Sequence, residues 1–121
     1  MSKEVTYPIA DSEEGFQKEQ CPVLYALDIV GQKWKLPILW YLYQQHPIRY
    51  NELKRKLPSI TNVMLTKSLK ELEEAGLVNR IQFNEIPPHV EYSLTERGEA
   101  LMPTLNELYR WGEIQMKQNR N

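Results

Sequence analysis

Apolar positions along this chain follow a helical period over its first half, change to alternation near residue 78, and return to a helical period before residue 100. Pro22 suits the first turn of a helix, where its missing N–H would be unpaired anyway; Val23, Leu24, Ala26, Leu27 and Val30 then give an apolar face up to Gly31. A second helix is predicted from about Lys33 to Gln45, with Trp34, Ile38, Leu39, Leu42 and Tyr43 spaced for burial and His46-Pro47 as the stop. A short third helix, about Tyr50 to Lys56, turns Leu53 and Leu57 inward and ends at Leu57-Pro58, because the residue before a proline is pushed out of helical geometry.

The strongest helix signal lies in residues 60–76. Ser59 or Thr61 can accept the free N–H groups at its start, Leu65, Leu69 and Leu72 recur at helical spacing, and Gly76 allows a left-handed exit. Val78–Phe83 and Val90–Leu94 largely alternate apolar and polar residues, which predicts two strands joined as a hairpin by the proline-containing connector 84–89. Thr95, Arg97 and Gly98 open a last helix with Leu101, Leu105, Leu108, Trp111, Ile114 and Met116 as a long stripe, Pro103 either bending it or marking its true start. That stripe exceeds what a small domain buries.

The fold class is therefore mainly α with a small β-hairpin, an α+β chain whose element order is that of a winged helix-turn-helix with a long C-terminal helix. At 121 residues and 41% hydrophobic the chain suits one compact domain, expected over 19–121, preceded by a loosely held polar arm over 1–18. No run approaches the roughly 20 apolar residues of a membrane span, and the polar start lacks the apolar centre of a signal peptide. A cytoplasmic location without a membrane partner is expected.

A net charge of −1 argues against a chain coated with cations, but Arg49, Lys54, Arg55, Lys56, Lys67 and Lys70 face only Glu52 between residues 49 and 70. With Leu65, Leu69 and Leu72 inward, helical geometry turns Val63, Lys67 and Lys70 outward, puts Thr66 on the flank and leaves Asn62 near the exposed start. Asn62 can pair with adenine, Val63 and Thr66 can meet a thymine methyl, and Lys67 can reach guanine or phosphate. Lys54, Arg55, Lys56 and Lys70 are placed for phosphates, which position a protein without reading sequence. An ordinary solvated helix face would use the same residue types; the order of helices and the following hairpin favour double-stranded DNA. Arg80 is a candidate phosphate contact or a plain surface arginine, and the wing tip, with Asn84, Glu85 and His89, offers no lysine or arginine.

Cys21, the single cysteine, excludes an intrachain disulfide and any multi-cysteine metal site. At the start of the first helix the helix dipole favours its thiolate, while a small inert packing residue is the competing reading. His46 and His89 have no ligand at metal-binding spacing, and no phosphate loop, nucleophile elbow or zinc-protease motif occurs. No enzyme activity, metal or cofactor is expected.

Cys21-Pro22, Gly31–Leu36, Ile38–Leu42, Arg49–Lys54, Met64–Thr66, Leu69–Leu77, Pro87–Glu96 and Trp111-Gly112, in this order and spacing, resemble the HxlR family of bacterial winged-helix regulators. The chain departs from that pattern at Ser59, where glycine is usual, and at His89, where a basic residue often stands. The resemblance implies a homodimer joined through the first and last helices, binding an inverted-repeat operator, with repression the expected outcome. It also places Cys21 at the position several relatives use to sense oxidants, quinones or aldehydes. A winged-helix module that contacts protein through its last helix, without specific DNA binding, is the alternative.

Overall fold

The computed structural model describes residues 20–120, so the expected arm over 1–18 lies outside the described residues. The chain divides after Gln32 into two compact units. In the first, helix α1 spans Pro22–Val30, with Cys21 as an extended N-cap and Pro22 in the first turn. The Cys21 carbonyl accepts from Tyr25 N–H at 3.0 Å, and the Gly31 N–H closes the other end on the Leu27 carbonyl at 2.7 Å. Cys21 and Val30 are buried, but Val23 and Leu27, expected on an inward face, are half-exposed together with Tyr25.

The second unit begins with α2 (Lys35–Gln44), followed by β1 (Ile48–Arg49), α3 (Tyr50–Lys56) and α4 (Asn62–Glu74). Strands β2 (Val78–Phe83) and β3 (His89–Leu94) follow, then α5 (Glu96–Ala100) and α6 (Met102–Asn119). Pro37 sits within the first turn of α2, where its missing N–H costs little. Ile38, Leu39 and Leu42 are fully buried as their spacing predicts, whereas Tyr43 is exposed. They share a core with Ile48, Leu53, Leu65, Leu69, Leu72, Val78 and Met102.

The wing is more than a hairpin. Strand β1 adds a third, antiparallel strand to give the order β1-β3-β2, with Ile48 opposite Tyr92 and Arg49 opposite Glu91. A two-residue strand carries no readable period, and only its pairing with β3, more than 40 residues downstream, creates it. The β2–β3 ladder runs from Val78↔Leu94 to Phe83↔His89. As the other edge, β2 buries only Val78, and Ile81 is half-exposed despite its apolar side chain.

Pro103 marks a new helix and does not bend one: Leu101 is the C-cap of α5 and the N-cap of α6, whose first turn holds Pro103. Thr95 forms a joint ahead of this break. Its hydroxyl donates to the Gly76 carbonyl at 2.6 Å and accepts from Gly98 N–H at 3.1 Å, while its own N–H reaches the Leu77 carbonyl at 3.0 Å. Gly98 is buried, and a Cβ there would run into the Leu77 carbonyl oxygen.

Helix α6 touches α2 through parallel stacking of Tyr109 on Trp40, with ring centroids 4.6 Å apart. An open groove of about 630 Å³ runs beside them, lined by Leu36, Pro37, Leu105, Leu108 and Met116 among others. Only Met102 and Leu105 of α6 are buried; Leu108, Tyr109, Trp111, Ile114 and Met116 are all exposed.

Candidate nucleic-acid interface

Helix α4 starts where Thr61, in extended conformation, takes the Met64 N–H on its hydroxyl at 3.1 Å. This satisfies one of the orphan donors of the first turn, and Thr61 fills the role for which Ser59 was the other candidate. The helix leaves through Gly76 at φ 81°, the left-handed region that the glycine was expected to supply. Between these ends, Leu65, Ser68, Leu69 and Leu72 are buried. An ion pair from a buried lysine borders the same side: Lys35 Nζ of α2 lies 3.1 Å from Glu71 Oε1, with the lysine side chain 6% exposed and the glutamate 39%.

The opposite side carries Asn62, Val63, Thr66, Lys67 and Lys70, all exposed. The five candidate residues of α4 therefore share its solvent side, with Val63 the most exposed of its large apolar residues at 79%. Such a face combines amide, methyl and ammonium groups, the types that read base edges in a major groove.

Helix α3 precedes it. Glu52 accepts the Arg49 N–H at 3.4 Å and the Gln45 side-chain amide at 3.1 Å, tying the start of α3 to the end of α2. Arg55 is exposed and Lys54 half-buried, while Lys56 lies over the Tyr41 ring, 5.7 Å from its centroid. Arg49 and Arg55 line a concavity of about 690 Å³ that α3 forms with Pro87, Pro88 and His89 of the wing. Arg49, named in the sequence only as part of the basic stretch, is exposed on β1, and the strand pairing carries it to the wing.

Within the wing, Arg80 is exposed and lies 3.5 Å from Gln82 Oε1 through Nη2. His89 is not at the tip; it opens β3, with its ring stacked on Phe83 at 4.7 Å and its Nε2 3.0 Å from Glu91 Oε2. The imidazole is thus already engaged within the protein. The tip itself presents Ile86 wholly to solvent.

Tyr50, the first residue of α3, was missed. Its hydroxyl lies 3.1 Å from Thr66 Oγ1, 3.4 Å from Asn62 Oδ1 and 3.3 Å from the Asn62 carbonyl oxygen. These contacts cross 12 to 16 residues of sequence, beyond the reach of helical spacing. Cys21 belongs to the other unit of the chain and is buried at the N-cap of α1.

Two helices joined by a tight turn, the second with a largely polar solvent face, followed by a hairpin that β1 completes to a three-stranded wing, define a winged helix-turn-helix regulator of transcription. The model of the HxlR-like helix-turn-helix family matches residues 29–120, and the chain belongs to that family. It is 49% identical over 96 residues to the HTH-type transcriptional regulator YybR of Bacillus subtilis, covering 79% of this chain and 76% of that one. It is 47% identical to the regulatory protein MalR of Fusobacterium mortiferum, covering 79% and 91% of the two chains. Among solved structures, the redox regulator HypR in its oxidised form matches with a TM-score of 0.73 and 45% identity, covering 77% of this chain and 95% of that one. Its reduced form matches with a TM-score of 0.76 and 41% identity, covering 82% and 97%.

Proposed function

We propose that this HTH-type regulator works as a cytoplasmic homodimer on an inverted-repeat operator and represses the adjacent gene. The observation that carries the reading is the exposed face Asn62, Val63, Thr66, Lys67 and Lys70, opposite a fully packed side of α4. In a dimer two such faces enter successive major grooves about 34 Å apart. Lys54, Arg55, Lys70 and Arg80, joined by Arg49, hold the phosphate backbone, and His89 contributes only if its pairing with Glu91 opens.

Homodimerisation through the first and last helices is supported by the apolar residues that each leaves in solvent, Val23, Tyr25 and Leu27 on α1 and Leu108, Trp111 and Ile114 on α6. In this reading residues 19–121 act as one domain behind the polar arm 1–18. Cys21 is proposed as the sensing residue for an oxidant or electrophile, on the strength of its N-cap position and the likeness to HypR, described as a redox regulator. Its burial means that a reagent gains access through local opening of α1.

The test is sequencing of genomic fragments retained by the reduced protein at near-physiological salt, repeated after oxidant treatment. Enrichment of one inverted repeat near a gene whose transcript rises on deletion of the regulator is expected; random or no recovery overturns specific DNA binding. Oxidant should release the repeat from wild type and leave Cys21→Ser bound, and release of both removes Cys21 from the signal path. The exposed stripe of α6 favours the second reading, a module docking another protein, which then gains from a failed selection.

A further inference from the structure

We infer that Tyr50 is a specificity-determining positioning residue: its hydroxyl locks Asn62 and Thr66 into one presentation, and so decides which base pattern the start of α4 accepts. The inference rests on the DNA-reading function proposed above. Exposed asparagine and threonine side chains ordinarily sample several rotamers, and an asparagine amide can turn over to exchange its oxygen and nitrogen. Here both end on one phenol oxygen, Thr66 Oγ1 at 3.1 Å and Asn62 Oδ1 at 3.4 Å, with the Asn62 carbonyl oxygen at 3.3 Å.

A phenol has one proton to give and lone pairs to receive. The two Asn62 atoms that meet the phenol are both acceptors, so the Tyr50 proton goes to Asn62, shared between Oδ1 and the backbone oxygen, and the Thr66 hydroxyl donates to Tyr50. Two consequences follow. The Oδ1 of Asn62 is held on the protein side, leaving the NH₂ group as the end offered to the groove, where purine N7 is the common acceptor. The oxygen of Thr66 is committed inward, which fixes χ1 of a β-branched side chain and with it the place of its methyl group, the partner of a thymine methyl. Ordering these groups before binding spares part of the entropy otherwise lost on the specific site, with no gain on non-specific DNA.

Tyr50→Phe keeps the ring and removes only the hydroxyl. The full-length variant is compared with wild type by fragment selection and by titration of the selected operator and a scrambled duplex at several salt concentrations. The expected result is relaxed preference at the base positions that Asn62→Ala and Thr66→Ala also relax, with the operator-to-scrambled affinity ratio falling roughly tenfold. Scrambled-duplex affinity and the salt slope stay as in wild type. Added to an Asn62→Ala/Thr66→Ala protein, Tyr50→Phe should change nothing further.

An unchanged base profile overturns the inference. So does an equal loss on both duplexes with a shallower salt slope, which would make Tyr50 a phosphate contact, and so does an equal loss with a lowered melting temperature, which would make it a packing residue. A wild-type protein that selects no repeat instead overturns the DNA-reading function itself, so the two failures are distinguishable.

Discussion

Helices α4 and α6 are both amphipathic by sequence, yet they spend their apolar residues differently. In α4 the leucines at 65, 69 and 72 are buried within the chain and the solvent side is amide, hydroxyl and ammonium around the single valine Val63. In α6 only Met102 and Leu105 are buried, and the stripe continues into solvent through Leu108, Trp111, Ile114 and Met116. The contrast separates two kinds of surface: a polar face on a packed helix suits a charged, hydrated partner, whereas an apolar face that the described residues leave uncovered suits burial against another protein surface.

Charging the α6 stripe attacks the contrast most strongly. Trp111→Glu together with Ile114→Glu should leave a folded chain, because both residues are solvent-exposed, but yield monomers by sedimentation. Operator affinity should then fall by about 10² or more, since each half-site must be held without its linked neighbour. An intact dimer would mean that the stripe serves another contact. The mirror experiment is Leu69→Ala in α4, where the cost falls on folding: about 2–5 kcal/mol in chemical denaturation, as expected for a fully enclosed leucine.

Smaller effects sharpen the reading side. Lys67→Ala should cost about 1–3 kcal/mol of discrimination in competition titrations and alter base preference. Lys54→Ala should weaken all sequences alike and reduce the slope of log affinity against log salt by about one, with base preference kept. If Lys54→Ala changed preference and Lys67→Ala did not, the assignment of groove and backbone contacts would be reversed.

Much of this was legible in the sequence wherever local chemistry decides. Pro22, Thr61, Gly76 and Thr95 mark boundaries because caps and backbone preferences act within a few residues, and the outward set on α4 follows from three leucines and the helical period. What escaped depends on pairing at a distance. Strand β1 exists only because Ile48 and Arg49 meet Tyr92 and Glu91. His89 is turned from a presumed tip residue into a stacked and paired one by Phe83 and Glu91, and Tyr50 meets α4 only in the folded chain. Exposure of Ile81, Tyr43, Val23 and Leu27 was likewise hidden, since period alone cannot say whether an apolar side finds a cover.

The joint at Thr95 bears on how readily such a protein can be retargeted. It fastens the end of α4 to the start of α5 through the Thr95 hydroxyl and N–H and the carbonyls of Gly76 and Leu77, using none of the exposed side chains of α4. Substitutions at 62, 63, 66 or 67 therefore leave the fastening intact, and surface changes of that kind usually alter stability by no more than about 0.5 kcal/mol. If α4 reads DNA as proposed, the scaffold can carry a new address at little structural cost, with residue 50 changed in step with 62 and 66.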